Sequence, residues 1–167
     1  MSGGGVRGDF HRLDRLISAA HSIQSTPFWR RLLRGVSAEV NQQVTAGFWF
    51  SRDPYGKPWQ PLKFGGGQPL MKSKALLRAA QSRVVLPATA VLIQVDLVYA
   101  GVQQRGAKIR AKRAKALRFR AGGRWVFAKS VTIPARTFVP KEGDLPPRWR
   151  DGIANVIGAL VVAHLKG

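Results

Sequence analysis

Two long stretches of the chain carry apolar residues at helical spacing, and shorter ones switch to β-branched runs or strict alternation. In "STPFWRRLLRGVSAEVNQQVTAGF", Trp29, Leu32, Leu33, Val36, Val40 and Val44 share one face and predict the principal helix. Thr26 reads as its N-cap, Pro27 as its first helical residue and Gly47 as its stop. Behind Asp144 and Pro146-Pro147, a second stripe of Trp149, Ile153, Val156, Ile157, Leu160, Val161 and Leu165 predicts a C-terminal packing helix. Shorter helices are predicted over 10–21, capped by Asp9, and over 72–80.

The β signals lie between the helices. "RVVLPATAVLIQVDL" reads as a hairpin or two successive strands around Pro87-Ala88-Thr89. In "LRFRAGGRWVFAKSVTI", Gly122-Gly123 supplies a turn. Leu117 and Phe119 alternate with Arg118 and Arg120, and Trp125 and Phe127 alternate with Val126 and Ala128. This pattern predicts a half-buried hairpin with its aromatics inward. "VYAGVQQRGAK" fits either one helical turn or a bulged strand end. The sum is an α+β domain over 9–167: N-terminal helices, a small antiparallel sheet with a long basic loop, and a packing helix. Residues 1–8, rich in glycine, read as a flexible arm.

One stretch fits neither period. In "FWFSRDPYGKPWQPLKF", Phe48 is the last apolar residue of the long helix, and Asp53-Pro54-Tyr55-Gly56 is a turn that ends it. Trp59, held between Pro58 and Pro61, reads as a plug between helix and sheet, with Phe50 and Phe64 as companions.

Composition adds a partner to this picture. The apolar fraction of 45 % is that of a folded chain, but 28 Lys and Arg stand against 8 Asp and Glu, a net charge of +20. From Leu97 through Lys141 the sequence has twelve Lys and Arg and no carboxylate. The densest run holds Arg105, Lys108, Arg110, Lys112, Arg113, Lys115, Arg118 and Arg120. Their mutual repulsion predicts an extended, mobile loop that a polyanion would neutralise, either DNA phosphates or an acidic protein surface. A solvated basic loop without a dedicated partner is the alternative. No zinc-finger spacing, recognition-helix signature or RNA-binding aromatic motif appears.

Candidate chemistry is sparse. The chain has no cysteine, which excludes disulfides, thiolate metal sites and a thiol nucleophile. His11, His21 and His164 read as surface or packing residues, and the carboxylates show no spacing that converges. The runs "SGGG" and "FGGGQP" lack the Gly-Lys-Ser/Thr of a phosphate loop. No enzyme activity, catalytic residue, cofactor or metal is expected. The N-terminus lacks the apolar core of a secretory signal. The run from Ile153 to Leu165 is shorter than the about 20 residues a bilayer needs, so no membrane partner is expected. In "SVTIPARTFVP" the prolines end a ladder, and Arg136 sits between Ile133 and Phe138. It reads equally as a plain surface arginine or as one fixed by packing on a carboxylate or on backbone carbonyls.

Three segments in order, "FWFSRDPYGKPWQPL", "VYAGVQQRG" and "LRFRAGGRWVFAKSVTIPARTFVP", resemble the virion morphogenesis family of tailed bacteriophages, which includes tail-completion proteins of Mu-like and related contractile-tailed phages. The first resembles the family at Phe48, Asp53, Pro54, Gly56, Pro58, Trp59, Pro61 and Leu62, and the second at Tyr99, Ala100, Gln104 and Gly106. The third resembles it at Ile133, Pro134, Ala135, Arg136 and Phe138. Gln103 and Thr137 depart from the histidine and proline usual there.

The resemblance implies a structural protein of the virion, made in the host cytoplasm and placed in the head-to-tail neck. It implies a homo-oligomeric ring of roughly six or twelve copies. The implied contacts are the portal or connector and the tail-terminator or tail-tube proteins, with packaged DNA passing the neck as a further partner. It also implies an interface role for the basic 105–120 segment and for Arg136. The alternative function is nonspecific nucleic-acid binding through that same segment.

Overall fold

The computed structural model describes residues 26–63, 66–81, 83–85, 90–112, 114–141 and 143–166. The arm over 1–8, the helix expected over 10–21 with Asp9, His11 and His21, the Pro87 turn, Phe64 and Arg113 lie outside the described residues. In chain order the elements are α1 (Thr26–Trp49), α2 (Ala75–Ala79), β1 (Arg83–Val85), β2 (Ala90–Leu92), α3 (Ala100–Arg105) and β3 (Ala107–Arg110). They continue with β4 (Leu117–Ala121), β5 (Arg124–Ala128), β6 (Ser130–Ile133) and α4 (Pro147–Lys166). The architecture is α+β, as the patterning predicts.

Helix α1 buries an i, i+4 row. Phe28, Leu32, Val40, Val44 and Phe48 are core residues, with Val36 packed against them. Trp29 lies beside this row and is exposed, so Phe28 takes the core position expected of Trp29. The helix also runs past Gly47. It ends in a Schellman motif, in which Ser51 adopts φ 51° and its N–H bonds to the Phe48 carbonyl at 3.3 Å. The Arg52 N–H then bonds to the Gly47 carbonyl at 2.9 Å. Gly47 therefore supplies a carbonyl to the stop instead of being the stop.

Helix α4 packs antiparallel on α1. The Phe28 ring lies 4.4 Å from the His164 ring at one end, and Glu39 and Gln43 face Gly152 at the other. Between them, a Cβ added at Gly35 would come within 2.8 Å of Leu160 and 3.0 Å of Val156, so the missing side chain sets how closely the two helices approach. Trp149 is the buried residue of α4; Leu165, expected in its apolar stripe, is exposed. No helix among the described residues is long and apolar enough to cross a membrane.

The expected sheet is three separate two-stranded antiparallel ladders, β1–β2, β3–β6 and β4–β5. The last two form one ribbon. Only Lys129 separates β5 from β6, and the Ala111 N–H bonds to the Lys129 carbonyl at 3.1 Å. Residues 112–116 are thus an excursion from one side of a ribbon that spans roughly 30 Å at about 3.4 Å per residue. Opposite this excursion the outward face turns over: residues 125, 127 and 129 are exposed, then 130 and 132.

This corrects the expectation of a long mobile basic loop. Arg105 closes α3, Lys108 and Arg110 lie on β3, and Arg118 and Arg120 lie on β4. Alternation separates the cations by intervening apolar residues and points them to solvent, where water screens their repulsion.

Candidate functional site

The three segments that carry the family resemblance meet at one joint. After the α1 stop, Asp53 folds the turn by accepting the Tyr55 and Lys57 N–H groups on Oδ1, at 3.0 and 2.8 Å. Gly56 adopts φ 90° in that turn, and the Trp59 N–H returns to the Ser51 carbonyl at 2.8 Å. Trp59 is thereby pushed into the core at 7 % exposure. Its ring packs edge-on against Phe48 at 5.4 Å, and its Nε1–H donates to the Thr137 carbonyl at 2.9 Å. Phe48 in turn lies 5.9 Å from Phe138. Trp59 is the expected plug, but its companions are Phe48 and Phe138; Phe50 points away, 71 % exposed.

Gln104 joins the second segment to the third as a surrogate strand. Its Oε1 accepts the Phe138 N–H at 2.9 Å and the Val139 N–H at 3.4 Å, while Nε2 donates to the Val139 carbonyl at 2.8 Å. The Arg136 N–H bonds to the Gln103 carbonyl at 2.7 Å. Gly106 lets the segments approach: it has φ 74°, and a Cβ there would stand 2.8 Å from the Ala135 nitrogen and 2.9 Å from the Ile133 carbonyl. Tyr99 precedes α3 and is exposed, and Pro134 follows the end of β6. Gln103 has a buried Oε1 with no hydrogen-bond partner among the described residues, and nothing in the structure explains it.

Arg136 belongs to this joint and not to an outer face. It is 6 % exposed, and its Nε and Nη2 donate to the carbonyls of Gln60 at 3.1 Å and Pro61 at 3.4 Å. Burial pushes its pKa below the ordinary value, though a guanidinium stays charged at any accessible pH. The inter-subunit role expected for Arg136 is therefore replaced by an internal one. Its guanidinium clamps the proline-fixed segment after Trp59, where no ladder partner is available to those carbonyls.

The other described candidate basic residues lie on the ribbon, in its 112–116 excursion, or at the end of α3. Arg105, Lys108, Arg110, Lys112, Lys115, Arg118 and Arg120 are all exposed, as are Arg124 and Lys129, which lie beyond the densest run. Among the described residues none of these cations is paired with a carboxylate. The β4–β5 register puts Arg118 opposite Phe127 and Arg120 opposite Trp125. Trp125 and Phe127 are consequently outward, 53 % and 66 % exposed, which reverses the aromatics-in expectation for β5. The Arg118 guanidinium lies over the Trp125 ring at 4.0 Å and that of Arg120 at 5.5 Å. Near the hairpin tip a cleft of about 850 Å³ is lined by Arg120, Trp49, Lys63, Lys72 and Lys74, with Lys74 Nζ 5.5 Å from the Trp49 ring.

Among the described residues no group of three or more His, Asp or Glu side chains could hold a metal ion. The side-chain polar atoms of Trp59, Gln104 and Arg136 are engaged with main-chain groups of the joint. Compared with protein-family models, curated proteins and solved structures, the chain matches none.

Proposed function

We propose that this chain is a structural virion protein of the phage head-to-tail neck, a tail-completion or head–tail joining subunit that forms a homo-oligomeric ring between connector and tail. The observation that carries the reading is the joint. The residues of the three resembling segments, far apart in sequence, are bonded to one another through Trp59, Gln104 and Arg136. The likeness thus falls on residues that form one folding unit.

Surface composition supports an assembly role. Trp29, Phe50, Tyr55 and Tyr99 are exposed and lie outside the basic ribbon and its adjoining cleft. Large exposed aromatics are the usual anchors of protein interfaces. The direct test is electron microscopy of tailed particles assembled with a gold-labelled copy of the chain. Label at the neck supports the proposal; label along the tail shaft, on the capsid shell, or absent from particles overturns it.

A further inference from the structure

The outward face of β4–β5 pairs two arginines with two aromatic rings, and we infer that it binds single-stranded nucleic acid, holding phosphates with Arg118 and Arg120 and stacking bases on Trp125 and Phe127. Such binding stands whether or not the chain belongs to the neck.

Charge selects the class of partner. The ribbon's exposed cations have no carboxylate partners among the described residues, and a second copy of this chain has only 8 carboxylates to offer against 28 Lys and Arg. A polyanion complements the face; another copy does not. The hairpin tip, Ala121 to Arg124, carries no aromatic ring, so the ribbon lacks the apolar wedge that a membrane-inserting hairpin would present.

Spacing then selects single strands over duplex. Trp125 and Phe127 are two residues apart on one strand, so their rings rise from points about 6.8 Å apart. Stacked bases in a duplex are about 3.4 Å apart and have no free faces. Unstacked bases of an extended strand can each meet a ring, and stacking on aromatic platforms flanked by cations is how single strands are held without sequence preference. Arg118 and Arg120 lie over the Trp125 ring, which at 53 % exposure still offers surface to a base, and their N–H edges remain for phosphate oxygens. The adjoining cleft repeats the pairing with Trp49 and Lys74, which extends the track beyond the hairpin.

Fluorescence anisotropy of the full chain with labelled oligothymidylate, a duplex of equal length and polyglutamate tests this across a salt series. The expected result is tighter binding of the single strand than of the duplex, weakening with salt. Trp125→Ala with Phe127→Ala should lower single-strand affinity about tenfold or more and leave the salt slope unchanged. Arg118→Ser with Arg120→Ser should flatten the slope, by about 0.7 for each phosphate that is no longer neutralised. Trp125→Phe keeps a ring and should keep most of the affinity, which separates stacking from any folding defect. Duplex bound as tightly as the single strand, aromatic variants with unchanged affinity, or polyglutamate bound in preference to both nucleic acids would each overturn the inference.

Discussion

Gly106 is the position where a single atom decides whether two segments can meet. Its backbone is in the left-handed region, and a methyl group would stand 2.8 Å from the Ala135 nitrogen, which cannot move without breaking the joint. Gly106→Ala should cost about 2 kcal/mol or more, read as a lowered denaturant midpoint. Trp59 combines burial with a bonded indole N–H, so Trp59→Ala should cost about 3 kcal/mol or more. A near-neutral result would place Trp59 on an assembly face instead. Gln104→Ala removes the partners of the Phe138 and Val139 main chain and should cost about 1–3 kcal/mol in the same unfolding measurement. The plug role of Trp59 is legible in the sequence because prolines on both sides fix the segment. Its companions are not, because which ring meets which depends on how 138 folds back onto 48.

At the scale of elements, period and turn chemistry are what the sequence makes legible. Helices α1 and α4 and the Gly122-Gly123 hairpin follow from spacing, although Phe28 replaces Trp29 in the α1 row and Leu165 drops out of the α4 stripe. The inward assignment of Trp125 fails for a reason the sequence already contains. A two-residue turn at 122–123 pairs 120 with 125 and 119 with 126, so Trp125 must share a face with Arg120 and cannot share one with Phe119. The stop of α1 is hard to place because a serine in the left-handed conformation leaves no mark as clear as a glycine. The basic run reads as a loop only when its repulsion is counted without the relief that alternation gives. Lys112 and Lys115 do lie in the excursion between β3 and β4, exposed and outside both ladders. Lys112→Ser with Lys115→Ser should therefore leave the thermal midpoint within about 1 °C and weaken polyanion binding or particle assembly. A large drop in midpoint would show the excursion to be structural.

For the whole molecule, net charge and surface apolarity act together. A chain of +20 repels its own copies at low ionic strength, and exposed aromatics draw them together once that repulsion is screened. Self-association should accordingly strengthen between low and physiological salt, whereas polyanion binding should weaken over the same range. Sedimentation at several salt concentrations separates the two trends. Arg136 contributes to neither, because its charge is held inside the subunit.

Whether the chain is a ring subunit that joins tails is settled most directly by native mass spectrometry of the protein, alone and mixed with purified tails. One closed oligomer of uniform stoichiometry, retained on the tail, is the expected result. A chain that stays monomeric in both samples and never associates with tails would contradict the proposed role.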